Sequence, residues 1–169
     1  MLSIKREKKV LTGKSVVEVW ADGNGNGYYA YVTDGGQGTI GRLESVCRNR
    51  GRNAMCAEAQ ALLTALENVD ADELRIHVDS SAVLGMIAKP DFLKRPNHQW
   101  VRSIMGRILY LLAVKNVRLK WIGGNHNRAH EMLIPYSKMG LPIRTRARAH
   151  LVRSKTLKCP SGYVVSITE

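Results

Sequence analysis

Apolar and polar residues follow two different periods along the chain. Short runs rich in β-branched and aromatic residues, several of them alternating apolar and polar, are typical of half-buried strands. They predict strands over residues 16–21, 28–33, 39–47, 73–78 and 117–122. Between them, Ala, Leu, Ile and Met recur at helical spacing, which predicts helices that begin after residues 53, 80, 97 and 127. The predicted order is therefore three strands, a helix, a strand, two helices, a strand and a helix.

Glycine-rich turns at residues 22–27 and 34–38 join the first three strands, so these strands predict an antiparallel meander. The later strands are separated by helices, which favours parallel pairing. The fold class predicted is α/β, a mixed five-stranded sheet with helices on both faces. Asn53 is the predicted N-cap of the first helix. The long helix over residues 98–114 is expected to bury Trp100, Ile104, Ile108, Leu111 and Leu112.

The ends of the chain differ from its middle. Residues 1–15 are expected to form a basic N-terminal arm, and residues 16–140 are expected to form one catalytic domain. Residues 141–169 form a basic C-terminal extension, for which a small β-hairpin around "CPSG" is one arrangement. No apolar stretch reaches the length that a membrane span needs, and no signal-peptide core follows the basic start. We therefore expect a cytoplasmic monomer without membrane contact.

Charge narrows the class of partner. The chain has 26 Lys and Arg against 14 Asp and Glu, a net charge of +12. Such an excess attracts polyanions, among which nucleic acid is the usual partner, although a merely basic surface or a membrane surface gives a similar composition. The three cysteines have no zinc-type spacing, so we expect incidental thiols and no small-molecule cofactor.

Four acids fall near the ends of predicted elements: Asp22, Glu58, Asp79 and Glu131. Each one alone is explained as a turn or helix-start residue. Together, on this order of elements, they are expected to converge at one edge of the sheet. Close carboxylates repel one another unless a cation lies among them, and oxygen ligands suit Mg²⁺ or Mn²⁺. A basic protein with two such ions is typical of an enzyme that cleaves phosphodiesters.

Five segments in order resemble the ribonuclease H family. They are "VEVWADGNGNGYYAYV", "NAMCAEAQALLTALE", "LRIHVDSSAVLGMI", "KRPNHQW" and "LKWIGGNHNRAHEMLIPYSKMG", and they span residues 16–140. The resemblance implies the fold of that family and places Asp22, Glu58 and Asp79 at its core metal-binding positions. The fourth position falls on Glu131, four residues after Asn127. The alternative is His130, because "AH" also resembles family members that have histidine there.

The resemblance also implies substrate contacts, although the family's asparagine-rich turn before the first helix is replaced by "RNRGRNAM". His126 stands where many members have a mobile histidine. Arginines of the basic loop and of the extension are expected to contact phosphates, among them Arg48, Arg50, Arg52, Arg144, Arg146 and Arg148. The residues expected to bind substrate are Gly23, Asn24, Arg52, Asn53, His126 and Asn127.

The activity implied is endonucleolytic cleavage of the RNA strand of RNA–DNA hybrids, with two Mg²⁺ or Mn²⁺ ions. In this scheme Asp22 bridges the ions, and Glu58 also accepts a hydrogen bond from a ribose 2′-hydroxyl. Two alternatives stay open on the same fold. One is a DNA nuclease such as a Holliday-junction resolvase, which the basic extension would suit. The other is a nucleic-acid-binding module that has lost turnover.

Overall fold

The computed structural model describes residues 15–137, without the side chains of residues 92 and 97, and the backbone of residues 155–158 and 164–167. The strands are β1 (Val16–Gly23), β2 (Tyr28–Thr33), β3 (Gly38–Arg42), β4 (Glu73–Val78), β5 (Val117–Trp121), β6 (Lys155–Lys158) and β7 (Val164–Ile167). The α-helices are α1 (Arg50–Asn68), α2 (Ser81–Ala88), α3 (Gln99–Val114) and α4 (Arg128–Ser137). Short 3-10 helices cover Pro90–Lys94, Pro96–His98 and Gly124–His126.

One mixed sheet organises these elements, in the order β3-β2-β1-β4-β5-β7-β6. The strands β1, β2 and β3 pair antiparallel, whereas β1, β4 and β5 pair parallel. The predicted meander and the predicted parallel strands are thus confirmed. The sheet has two strands beyond the predicted five, because β7 pairs parallel with β5 and β6 pairs antiparallel with β7. The division into arm, domain and extension stays a prediction.

Helices cover the sheet unequally. The main core joins α1, α2 and α3 to one face through fully buried aliphatic side chains, including Leu62, Ile76, Ile87, Ile108 and Leu119. A small second cluster joins α4 to the other face through Trp20, Ala30, Ala129 and Leu133. Because each large aliphatic side chain contributes about 1.5–3 kcal/mol when buried, the first face supplies most of the apolar stabilisation.

The predicted boundaries are wrong at three places near the site. The strand β1 continues two residues beyond Ala21, so Asp22 lies inside it. The strand β3 ends at Arg42, five residues before its predicted end. The helix α1 begins at Arg50, about one turn early, because Asn49 and not Asn53 caps it: the Asn49 side chain accepts a hydrogen bond from the Arg52 backbone N–H.

The buried side of α3 differs in part from the predicted one. Ile108 and Leu112 are fully buried, as expected. The other buried positions are Val101 and Met105, one residue after Trp100 and Ile104. A shift of one residue rotates a helix by about 100°, and the predicted apolar stripe was wide enough to include both neighbours. Trp100, Ile104 and Leu111 are only partly buried against the core.

A glycine allows β1 to lie directly on α1. A Cβ added at Gly23 would come within 2.3 Å of the backbone carbon of Ala57 and the backbone nitrogen of Glu58. Real Cβ atoms do not approach backbone so closely, so Gly23 serves the packing of strand on helix. Gly23 thus has an internal packing role, and its contact with substrate stays a prediction.

On the second face, the ring of His77 stacks on Trp20 with 5.1 Å between centroids and 10° between planes. Burial lowers the pKa of His77, and the nearby Lys120 and Arg128 lower it further, although Glu18 opposes the change. The neutral imidazole is therefore the form that the folded chain favours. Within the described part of the chain, no helix is long and apolar enough to cross a membrane.

Gly23→Ala is expected to destabilise the fold by about 1–3 kcal/mol, because strand and helix must separate to admit the methyl group. Gly106→Ala is the matched control: it lies in the middle of α3, where an added Cβ meets nothing within 4 Å. There alanine is expected to stabilise by about 0.5–1 kcal/mol. Urea denaturation of both variants measures the changes, and equal effects at the two positions would contradict the packing argument.

Protonation of His77 is expected to cost folding free energy. Its pKa is lower in the folded chain than the usual 6.5, so the unfolded state binds the proton more readily. This contribution is complete above pH 6.5 and is lost as pH falls from there toward the folded pKa. His77→Gln should flatten the dependence of the urea midpoint on pH between about 5 and 7.5. Identical slopes for the two proteins would refute the assignment.

Candidate metal centre

Three acidic side chains from three different elements meet at one edge of the sheet. Asp22 comes from β1, Glu58 from the third turn of α1, and Asp79 from the residue after β4. Each offers an oxygen, and the three oxygens all lie within 4.8 Å of one another. All three residues are buried, at 2%, 9% and 8% exposure. The structure thus brings together three of the four acids that the sequence singled out.

The local sequence explains how each acid reaches this point. The parallel pairing of β1 with β4 sets Ala21 beside Val78. The next residues along the two neighbouring chains, Asp22 and Asp79, therefore follow at the same edge of the sheet. The close contact at Gly23 brings the backbone of Glu58 against the end of β1. Ser80 caps α2 by accepting from the Val83 N–H, which ends β4 and begins the helix immediately after Asp79.

The donor chemistry of the site fits a divalent cation. Three buried carboxylates whose oxygens lie within 4.8 Å of one another repel when ionised, and a cation among them removes that cost. The Oδ1 atom of Asp22 is buried and has no hydrogen-bond partner among the described residues. A buried carboxylate oxygen without a partner is costly, and a metal ion would satisfy it. All three ligands are oxygens, which suits Mg²⁺ or Mn²⁺.

Residues 130 and 131, the two predicted for the fourth position, lie differently. The Nδ1 atom of His130 lies 2.9 Å from Oδ2 of Asp22, and the imidazole is 55% exposed. Glu131 is exposed, and its carboxylate is not part of the acidic group found in the described residues. The two positions differ by about 100° around α4, so only one of them faces β1. The geometry favours the alternative, His130, over Glu131.

Both ends of α4 are tied to the first hairpin by asparagines. The buried Asn127 donates from Nδ2 to the Ala21 carbonyl at 2.9 Å, and its Oδ1 accepts from the Ala129 N–H. At the other end, Asn26 donates from Nδ2 to the carbonyls of Tyr136 and Ser137. These bonds hold the helix that carries His130 beside the strand that carries Asp22. The sequence contained Asn26 in its glycine turn, but no local signal pointed to this partner.

Three predicted substrate contacts use their polar atoms inside the protein. Asn127 joins α4 to β1, as described above. Asn24 accepts from the backbone N–H groups of Asn26 and Tyr28 and so shapes the turn. The buried Asn53 accepts from the Cys47 N–H and donates to the carbonyls of Cys47 and Gly25. These bonds give each of the three side chains a structural role, and their contact with substrate stays a prediction.

The other two predicted contacts face outward. The guanidinium of Arg52 lies over the ring of Trp100, 5.6 Å from its centroid, on an exposed part of α1. His126 is exposed and lines a cavity of about 470 Å³ beside the acids. The cavity is lined by Asp79, Trp121, Gly123, Gly124, Asn125, His126 and His130. Both residues are therefore placed where a ligand can reach them.

Trp121 and Gly124 were missed by the sequence reasoning. The indole Nε1 of Trp121 donates to the Asp79 carbonyl at 3.2 Å and fixes the backbone next to the acid. A Cβ added at Gly124 would lie 3.2 Å from Oδ2 of Asp79, so a larger residue would crowd the carboxylate. The glycine pair after the last predicted strand was the available signal.

Among the predicted phosphate contacts, Arg50 donates to Asn26, and residues 144, 146 and 148 lie outside the described residues.

Comparison with known proteins shows which solved structures share this arrangement. Neither the family models nor the curated proteins contain a match to the sequence. Solved structures do match: the N-terminal RNase H domain of Rv2228c from Mycobacterium tuberculosis superposes with a TM-score of 0.55 at 17% identity. That match covers 73% of this chain and 93% of the mycobacterial one.

RNase H1 from the halophilic archaeon Halobacterium salinarum NRC-1 superposes with a TM-score of 0.50 at 18% identity. The match covers 74% of this chain and 97% of the archaeal one. At such identities a likeness establishes architecture and leaves activity open. The resemblance inferred from the five sequence segments is confirmed at that level: the chain has the ribonuclease H fold, with three buried acids gathered at one edge of its sheet.

Proposed function

We propose that the protein is a divalent-metal-dependent endonuclease that hydrolyses the RNA strand of RNA–DNA hybrids. The observation that carries the proposal is the buried group of Asp22, Glu58 and Asp79 on a ribonuclease H fold. An acidic group without a cation in this setting would destabilise the fold, so its presence supports a binding role. The solved domains with this fold are named as ribonucleases H, which supports the substrate class.

The metal would be held by Asp22, Glu58 and Asp79, with His130 beside Asp22. When bound in pairs, such ions supply an activated water and charge stabilisation for the leaving oxygen. The chain's own residues would hold the metal-binding carboxylates in position. The bonds of Asn127 and Trp121 hold the backbone next to Asp22 and Asp79, so the carboxylates need little reorganisation when substrate arrives.

Recognition of the substrate would use the groups that face outward. Glu58 is the acid that α1 contributes, and we assign it the hydrogen bond to a ribose 2′-hydroxyl, the group that distinguishes RNA from DNA. Arg52 and His126 are exposed and would contact the backbone or the leaving group. Because Asn24 and Asn53 are bonded internally, hybrid selectivity would depend more on Glu58 than on asparagine contacts.

Asp79→Asn is expected to lower the rate of hybrid cleavage in Mg²⁺ by about a hundredfold or more, because one ligand charge is lost from the centre. Binding of the hybrid, measured by fluorescence anisotropy, should persist. Asp91→Asn is the matched control, since it makes the same change on a highly exposed side chain that pairs with Lys94. In Mg²⁺ the control variant should cleave the hybrid at the wild-type rate. Chelation of the metal by EDTA should abolish cleavage by both proteins.

The substrate class is tested separately on labelled hybrid, DNA duplex, RNA duplex and four-way DNA junction. Cleavage of the RNA strand of the hybrid, with the other three left intact, is the expected result. A cut junction beside an intact hybrid would replace the proposal by a DNA resolvase of the same fold. Binding of all substrates without cleavage of any, in Mg²⁺ and in Mn²⁺, would make the chain a nucleic-acid-binding module.

A further inference from the structure

A second cavity, of about 300 Å³, lies at the end of the sheet opposite to the candidate metal centre. It is formed where β1 begins and where β2 and α1 end, whereas Asp22 lies near the other end of β1. Its described lining contains two aspartates, Asp34 and Asp70, and neither lysine nor arginine, although the chain has a net charge of +12. We propose that this acidic cavity binds a lysine or arginine side chain of the chain's own residues 5–14. The inference goes beyond the proposed nuclease function and does not depend on it.

The charges around the acidic cavity favour a cation. Asn68, the last residue of α1, and its C-cap Val69 both line the cavity, and the carbonyl end of a helix carries partial negative charge. The last turn of α1 contains no basic residue. Lys115 donates to a carbonyl of that turn and lies 3.8 Å from Asp70. No such cation is found beside Asp34 among the described residues, so the exposed Asp34 is the carboxylate left to bind a further one.

The walls of the acidic cavity suit a long cation with an apolar stem. Tyr31 lines the cavity and is only 7% exposed, and its hydroxyl has no hydrogen-bond partner in the described part of the chain. A phenol oxygen accepts hydrogen bonds from ammonium or guanidinium groups, and a polar group held without a partner favours a ligand that supplies one. Val17 and Val69 add apolar surface to the same lining. Lysine and arginine side chains match this mixture, because their aliphatic stems bury against apolar groups while the charged head reaches polar atoms.

The position of Ser15 indicates the source of that side chain. Its backbone N–H and its Oγ donate to Oδ2 of Asp72 at 2.8 and 3.2 Å, which holds the start of β1 in place. Ser15 precedes Val17, a residue of the cavity lining, by two strand positions, or about 7 Å. The residues before Ser15 that carry positive charge are Lys5, Arg6, Lys8, Lys9 and Lys14. An exposed ion pair is weak by itself, but a short covalent link gives an effective concentration of about millimolar, which favours these side chains over those of other molecules.

The test is zero-length cross-linking of the full-length protein. A carbodiimide joins a lysine amine to an adjacent carboxylate as an amide, and mass spectrometry of the digested protein identifies the two residues. An equal mixture of ¹⁴N- and ¹⁵N-labelled protein separates cross-links within one chain from those between chains. We expect cross-links within one chain from lysines of residues 5–14 to Asp34 or Asp70. Their yield should fall about threefold or more in 1 M salt, where the Debye length is only about 3 Å.

Two variants with matched controls locate the contact. Asp34→Asn should lower the yield of cross-links to Asp70 about threefold or more, because one of two anions is lost. Glu44→Gln, on an exposed acid after β3, should leave that yield unchanged. Tyr31→Phe removes only the hydroxyl and should also lower the yield, whereas the same change at Tyr110, which is 67% exposed, should not. Circular dichroism confirms that each variant is folded.

Nuclear magnetic resonance gives a second measurement on the full-length chain. Replacing the five basic residues before Ser15 by glutamine should shift the amide signals of Gly35 and Asn68, which line the acidic cavity. The amide signal of Gly106, in the middle of α3, should stay in place.

Three results would overturn the inference. Cross-links that join ¹⁴N to ¹⁵N chains as often as chains of one label would make a second copy the source of the cation. Equal yields at Glu44 and at the two aspartates of the cavity would mean that residues 5–14 have no preferred contact. Unchanged yields in both Asp34→Asn and Tyr31→Phe would remove the cavity from the contact. All these measurements are made without nucleic acid or metal, so they can fail while hybrid cleavage succeeds, and the reverse.

Discussion

The close packing of Gly23 on α1 is the constraint on which the acidic centre depends. Only a residue without Cβ lets the end of β1 touch the helix backbone at Ala57 and Glu58. This contact is non-local, and it places a helix carboxylate beside a strand carboxylate at a distance that electrostatics alone would oppose. The apolar core beneath α1, with Ala61, Leu62 and Ala65 fully buried, supplies the free energy that holds the arrangement.

The opposite side of the centre is held by hydrogen bonds more than by apolar burial. Among the described residues, the second core cluster has four buried members, so α4 relies on its asparagine contacts for orientation. A buried hydrogen bond is directional, whereas apolar contact tolerates sliding. The helix that presents His130 is consequently fixed in rotation. The two sides of the candidate metal centre are thus built by different forces, one by close packing and one by specific polar bonds.

Much of the architecture was predictable because it rests on short-range patterns. β2 and β4 match their predicted bounds, and α3 begins one residue late, since alternation and helical spacing are local properties. Prediction failed where side chains could serve two purposes. Asn49 and Asn53 are both good caps, and the choice between them was made by the bonds of Asn53 to Cys47 and Gly25. The strands β6 and β7 extend a sheet whose edge no local pattern identifies.

The candidate site, like the fold, was predictable from the sequence only in part. From the sequence alone, four acids were expected at strand and helix ends that a mixed sheet brings together, because strand order and pairing direction follow from the hydrophobic pattern and the connections. The structure groups three of them, Asp22, Glu58 and Asp79. Only the tertiary structure places His130, and not Glu131, beside Asp22, and only it reveals the internal bonds of Asn24, Asn53 and Asn127. The physical reason is that side-chain partners more than 100 residues apart, such as Asn127 and Ala21, depend on the rotation of a packed helix. That rotation is set by contacts which the local sequence does not encode.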